Sequence, residues 1–251
     1  MFFSPLEQFE IYPILPLRIG AFDLSFTNSS FFLLLICLVY VFFVKLVYSN
    51  GSGFFIPNRW QLLFENFYSF SADMVEENMG AKGQTFVPFI FGLFMFLLLA
   101  NTFGMVPYSF TVTSHLIVTF TLSALVWVGK LYVGIKHHGI RILGVLLPGG
   151  IPFAMVPFFV VVELLSFFIP LAALGIRLFA NMMAGHILMK VIVGFCWSML
   201  LAGNVFFLAH FIPMGVLFLL LFLETAVAFI QAYVFTMLTC LMTGDMVHGG
   251  H

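Results

Sequence analysis

The stretch "LGIRLFANMMAGHIL", Leu174 to Leu188, sets an arginine in surroundings so apolar that its nearest charged neighbours are Glu163 and Lys190. Outward from Arg177 the chain stays nearly all apolar from Pro157 to Leu201, with Gly175, Gly185 and Gly194 scattered through it but no clustered turn signal. At 1.5 Å per residue that run is roughly twice the thickness of a bilayer's hydrocarbon core. A second long apolar run goes from Val205 to Thr243. Upright spans fit these lengths badly, whereas steeply tilted helices fit them well. An arginine at the centre of a membrane helix costs roughly 2.5–3.5 kcal/mol even on the most lenient scale, so Arg177 needs a use and an anion.

The rest of the chain agrees with a membrane setting. Of its 251 residues 63% are hydrophobic and only 8% charged, 36 are Phe, and the mean hydropathy is +1.16. A soluble domain carries about 25% charged residues, so the composition predicts an all-α polytopic membrane protein. The net charge of −1 offers nothing to nucleic acid. Cys37, Cys196 and Cys240 lie in apolar runs without paired spacing and read as small buried hydrophobes; neither a metal site nor a cofactor is expected. The opening "MFFSPLEQFEIYPILP" has neither a positively charged signal region nor an Arg-rich presequence. Insertion is therefore expected to rely on the later segments, in the compartment where the protein works.

Residues 24–48 read as a first span, the apolar part running from Leu24 to Val44 and ending at Lys45. Residues 57–80 read as an amphipathic helix in the interface plane. Trp60, Leu63, Phe64, Phe67 and Met74 recur at helical spacing, with Glu65, Ser69, Asp73, Glu76 and Glu77 between them. Its excess of acids suits protein neighbours better than anionic lipid. Residues 84–134 read as a helical hairpin, because no charge occurs between Lys82 and Lys130 and Gly104 and Pro107 mark a break. A loop follows from Lys130, closed by a Pro/Gly cluster, and residues 152–243 hold the two long runs. The tail "DMVHGGH" reads as disordered. Basic residues sort onto the connections Lys45–Lys82 and Lys130–Arg141, which the positive-inside rule puts on the cytoplasmic or matrix side. With about five crossings, the N-terminus is expected outside and the C-terminus inside.

Glu163, Arg177, His186 and Glu224 are the strongly polar positions of the two long runs, with Asn181 and Gln231 beside them. At 100° per residue, Ala173, Arg177, Ala180 and Ala184 fall within about 60° of one another, a stripe of small side chains around the cation. His186 points to the opposite face, and Glu224 and Gln231, one heptad apart, share a face of the last helix. Along the axis Glu163 lies about 21 Å from Arg177 and His186 about 13 Å the other way, so Glu163 cannot touch the arginine. The residues alone leave alternatives open. Arg177 can pair with Glu224 on the neighbouring helix, Glu163 can be an interfacial anchor, and His186 can be a packed histidine bonded to a carbonyl. Lys190 reads as snorkelling to the interface, and His137 and His138 as solvated.

"LGIRLFANMMAGH", with Glu163 upstream and "ETAVAFIQAYVF" downstream, resembles the subunit a family of F-type ATP synthases, and the resemblance covers nearly the whole chain. "SPLEQFEI" and "MVPYSFTVTSH" are similar to its mitochondrial members in plants and algae and to their alphaproteobacterial relatives. The pairing of His186 with Glu224 is of the mitochondrial type. Phe103 departs from relatives that carry an acid there, which removes any proton-path role from that position. The resemblance implies a mitochondrial inner-membrane location, with a bacterial inner membrane as the alternative. It also implies a stator subunit against a rotor ring of small hairpin subunits with one essential carboxylate each, joined by a peripheral stalk, other membrane subunits and lipid. The two long helices would then form a tilted hairpin along the ring. Two offset half-channels would reach the ring, His186 and Glu224 on the outside path, Glu163 on the inside one, and Arg177 between them. Asn181 and Gln231 would be within reach of the guanidinium.

Two other functions compete on composition. A proton-coupled secondary transporter carries internal repeats with matching broken helices, but every charged mid-membrane residue here is in the second half. A haem-carrying subunit needs paired axial ligands, and His115, His186 and His210 show no bis-histidine spacing.

Overall fold

The computed structural model describes residues 9–19, 22–49, 58–106, 109–139, 155–203 and 208–248. Among these residues a short β ribbon is followed by six α-helices: α1 (Asn28–Ser49), α2 (Arg59–Met79), α3 (Val87–Gly104), α4 (Leu116–His138), α5 (Val156–Ala202) and α6 (Phe211–His248). Five of the described stretches are long and apolar enough to cross a membrane: Asn28–Lys45, Ala81–Gly104, Leu116–His138, Phe168–Ala202 and Phe211–Val247. The chain is an all-α polytopic membrane protein apart from the ribbon. In lipid only a helix satisfies its own backbone, so the apolar runs have little other choice.

The ends of the helices follow local chemistry. Pro88, Pro157 and Pro213 sit in the first turns of α3, α5 and α6, where the missing N–H costs nothing. Beyond α4 and α5 the chain turns at Gly139 and Gly203, with φ of 57° and 66°, a region where a side chain is strained. Pro170 lies inside α5 without ending it, and leaves the carbonyl of Ser166 without its usual donor.

The ribbon is the element that the all-α reading omits. β1 (Pro13–Leu15) pairs antiparallel with β4 (Phe26–Thr27), and β2 (Arg18–Ile19) with β3 (Phe22–Asp23). Pro13 and Pro16 bias the residues before them to extended backbone. The Asn28 side chain ties the ribbon to α1: its oxygen accepts from the N–H of Tyr12 (3.2 Å) and of Ser29 (2.9 Å), and its amide donates to the Glu10 carbonyl (3.1 Å). The first helix therefore starts at Asn28, four residues later than the apolar run.

Two corrections concern segments read as loop or tail. Lys130 to His138 is the last part of α4, Lys130 itself is buried, and half-buried His138 bonds the Met246 carbonyl through Nε2 at 2.9 Å. The tail as far as His248 is the last turn of α6, with Met246 and Val247 buried. A solvated His138 and a disordered tail are thus both overturned by packing that local composition does not reveal. Residues 249–251 lie outside the described ones, as do the Pro/Gly cluster before Pro152 and Pro107 of the expected break.

Contacts divide the chain into two compact units, Met1–Tyr40 with Leu97–His115 and Leu178–Ala232, and Val41–Phe96 with Leu116–Arg177 and Tyr233–His251. The second has a core of Met74, Val75, Met79, Val87, Ile90, Val133, Cys240 and Val247, against which Tyr233 and Met237 pack. Met74, Val75 and Met79 come from α2, whose Glu65, Asp73, Glu76 and Glu77 remain exposed. Of the apolar face expected from the spacing, Met74 is buried and Phe64 and Phe67 are half-buried, while Trp60 and Leu63 near the start of α2 are exposed. The first unit holds the site.

Candidate functional site

In the connection between α3 and α4, residues 110–114 are buried, and three of them, Thr111, Thr113 and Ser114, carry hydroxyls. Thr111, Thr113 and Ser114 are at most 5% exposed around a single 3₁₀ turn, Val112–Ser114. The hydroxyls of Ser109, Thr111 and Ser114 take up carbonyls that α3 and the turn leave open: Ser109 Oγ bonds Phe103 O (2.5 Å), Thr111 Oγ1 bonds Gly104 O (3.2 Å), and Ser114 Oγ bonds Thr111 O (2.6 Å). Irregular backbone at membrane depth persists only where protein or water satisfies it.

This connection supports His186. Thr111 Oγ1 lies 3.1 Å from His186 Nε2, and the ring of Phe9 meets the imidazole edge-to-face at 6.4 Å between centroids. Glu224 of α6 approaches from the partner helix, with Oε1 3.8 Å from the same Nε2. Its carboxyl is 5% exposed, and neither oxygen has a hydrogen-bond partner among the described residues. A buried carboxyl without fixed donors is costly as a structural element but open to a proton brought by the imidazole or by water.

Deeper along the same two helices, Asn181 Nδ2 donates to Gln231 Oε1 at 2.9 Å. Gln231 is buried, and its own amide nitrogen has no partner among the described residues. Between Glu224 and Gln231, Ala228 uses its carbonyl to accept from Asn101 Nδ2 of α3 at 3.1 Å. Thr111, His186, Glu224, Asn101, Asn181 and Gln231 therefore form a polar column through an apolar unit. Polar side chains inside a membrane are functional by default, because each costs free energy to bury.

Of the residues singled out in the sequence, the structure brings together His186 with Glu224 and Asn181 with Gln231. Both amides were candidates for the guanidinium; they bond each other. Arg177 belongs to the other unit, has an exposed side chain, and forms no ion pair with a described residue. Within its own unit, the ionisable neighbour of Glu224 is His186. Glu163 is part of α5, but its side chain lies outside the described ones.

Sequence reasoning passed over Asn101, Thr111 and Gly185. Asn101 had a signal, an amide at the end of the apolar run "FMFLLLAN". Thr111 had none beyond belonging to a polar turn. Gly185 matters for space: a Cβ there would sit 2.7 Å from Glu224 Oε1, so the bare backbone of α5 is what lets the carboxyl reach His186.

Comparison with known proteins points the same way as the geometry. Residues 30–243 match the family described as "ATP synthase A chain". The chain is 46% identical to ATP synthase subunit a of Chondrus crispus over 244 residues, covering 97% of this chain and 96% of that one. It is 46% identical to the subunit of Marchantia polymorpha, covering 98% of each. With that of the bacterium Parvibaculum lavamentivorans it shares 44% identity, over 99% of this chain and 95% of the other.

Proposed function

We infer the function from the premise that this chain belongs to the ATP synthase A chain family. It is the proton-translocating subunit of the membrane sector of an F-type ATP synthase and works within that multi-subunit complex. The observation that carries the mechanistic reading is the contrast between a buried, hydrogen-bond-poor His186–Glu224 pair and an exposed Arg177 with no described ionic partner.

The proposed cycle uses each group for what its chemistry allows. Protons enter from the outside and reach Glu224 by way of His186, which can carry a proton on either ring nitrogen. From Glu224 they pass to a carboxylate of a rotor ring seated against this chain. Neutralised, that carboxylate enters lipid without the cost of a bare charge. After nearly a full turn it releases its proton on the inside, where Glu163 lines the exit. Arg177 draws the newly ionised carboxylate. Because a guanidinium does not deprotonate in proteins, it relays no proton and separates the two paths. Asn181 and Gln231, bonded to one another, hold α5 and α6 in register. Each proton crossing supplies about 2.3 kcal/mol per 100 mV.

In this reading α5 and α6 lie as a long tilted hairpin along the ring, and α2 lies in the interface plane with its acids toward neighbouring subunits. The partners are the ring, a peripheral stalk, other membrane subunits of the synthase, and lipid; nucleic acid is not among them. The membrane is the mitochondrial inner membrane, a reading supported by the algal and plant relatives, with a bacterial inner membrane as the alternative.

Arg177→Ala and Arg177→Lys in the reconstituted complex test the proposal. Alanine should abolish coupled ATP synthesis while passive proton flux under an imposed potential persists or rises. Lysine keeps a charge that can be lost on desolvation, and should block turnover with less leak. An alanine variant that is inactive yet proton-tight would overturn the separating role.

A further inference from the structure

We propose that Thr111 is a positioning residue that fixes which ring nitrogen of His186 carries the proton; the inference rests on the proton-path reading above. A threonine hydroxyl has one hydrogen to give, and a backbone carbonyl can only accept. Thr111 Oγ1 is 3.2 Å from Gly104 O and 3.1 Å from His186 Nε2. The first bond uses the hydroxyl hydrogen. Both bonds exist together only if Nε2 is the donor of the second, so in neutral His186 the proton sits on Nε2.

That nitrogen is also the one facing Glu224 Oε1, at 3.8 Å. The separation is too long for a hydrogen bond and short enough for a small swing of the ring or one bridging water. Nε2 therefore holds a proton between Thr111, which accepts it without taking it, and Glu224, which can take it. A proton arriving first at Nδ1 makes the imidazolium, which can give its Nε2 proton to Glu224 and is left neutral with its hydrogen on Nδ1; the return of that hydrogen to Nε2 resets the site. Thr111 neither gains nor loses a proton over the cycle; it supplies the orientation. Without the hydroxyl acceptor, the Nδ1–H form competes and presents a bare Nε2 to Glu224.

The surroundings are shaped for this hydroxyl. Thr111 is 5% exposed, which holds it in one place. A Cβ on Gly104 would lie 2.6 Å from Thr111 Cγ2, so the end of α3 leaves room for the side chain at the position where its hydroxyl meets the Gly104 carbonyl. Ser114 Oγ bonds the Thr111 carbonyl at 2.6 Å and pins the backbone from the other side.

The test uses the intact synthase in proteoliposomes, with nitrogen-15 in its histidine rings and the His186 signal assigned by its loss in His186→Gln. In the wild type the neutral ring should carry its proton on Nε2. Thr111→Val keeps the shape and removes the hydroxyl; it should shift the signal toward a mixture and slow proton-limited synthesis by about tenfold or more, while Thr111→Ser stays within about threefold of wild type. A wild-type ring protonated on Nδ1 with a bare Nε2 overturns the inference, and this measurement stands even if the valine variant fails to assemble. So does a valine variant with unchanged signal and rate. Glu224→Gln in the same assay separates the two ideas. If it conducts like wild type, the proton path itself is wrong; if it is slow while Thr111→Val is silent, only the role of Thr111 falls.

Discussion

Gly185 and Glu224 meet without a side chain between them: a single added carbon on the glycine would stand 2.7 Å from the carboxyl oxygen and 3.1 Å from its carbon. Gly185→Ala should therefore push the carboxyl away from His186. Overpacking of this kind costs about 1–3 kcal/mol. ATP synthesis should fall by about tenfold or more with assembly retained. Shortening the intruding partner by Glu224→Asp in the alanine background should recover part of the loss. A single alanine variant with wild-type rates would mean the carboxyl has other room.

The bond between Asn181 and Gln231 predicts coupling between two residues fifty positions apart. Asn181→Ala, Gln231→Leu and the double variant form a cycle in the thermal stability of the purified complex. A half-buried amide pair contributes about 0.5–1.5 kcal/mol, and the double variant should cost less than the sum of the singles because it leaves neither amide without the other. Strict additivity would count against the bond.

His115 is a pH probe just outside the spanning helices. Its ring stacks on Phe110 at 4.9 Å and 21°, and burial lowers its pKa below the ordinary 6.5. The sign follows from linkage: as pH falls below about 6.5 the unfolded chain takes up the proton first, so the folded state loses stability. Nuclear magnetic resonance should give a titration midpoint below 6.5, and His115→Phe should flatten the acid side of the stability profile. A midpoint at or above 6.5 would contradict the burial.

The last turn of α6 should be sensitive to bulk at Gly244. A Cβ there would stand 2.8 Å from the Asn78 carbonyl at the end of α2, and nearby Met246 holds His138 of α4. Gly244→Val should destabilise by about 1–3 kcal/mol, with Gly244→Ala milder. Faster amide hydrogen exchange over Thr243–Val247 is the expected readout, and unchanged exchange in the valine variant would show that the turn has slack.

Membrane helices are legible because lipid leaves an apolar chain no other structure, so α1 and the two long runs could be read from hydropathy alone. His186 and Glu224 could be read because a polar residue in such a run is rarely incidental. The helical end of α4 could not, since Lys130, Lys136 and His138 look like loop, whereas Val133 is in a core shared with sequence-distant α2 and α6 and His138 bonds the Met246 carbonyl. Thr111 and Gly185 act through distances of about 3 Å or less to residues far along the chain, and no local pattern encodes such distances. The ribbon escaped for another reason: its strands are two or three residues long, below any period that alternation could establish.

That ribbon works as a depth gauge. Its pairings are local and nested, so it can form as soon as Thr27 is synthesised, before α1 is committed to the bilayer. Its outer edges carry unpaired backbone groups that hydrocarbon would not tolerate. Asn28 couples it rigidly to the first turn of α1, so the helix can sink only until the ribbon reaches the headgroups. The first turn of α1 is thereby held at the level of the ribbon, however thick the surrounding lipid happens to be.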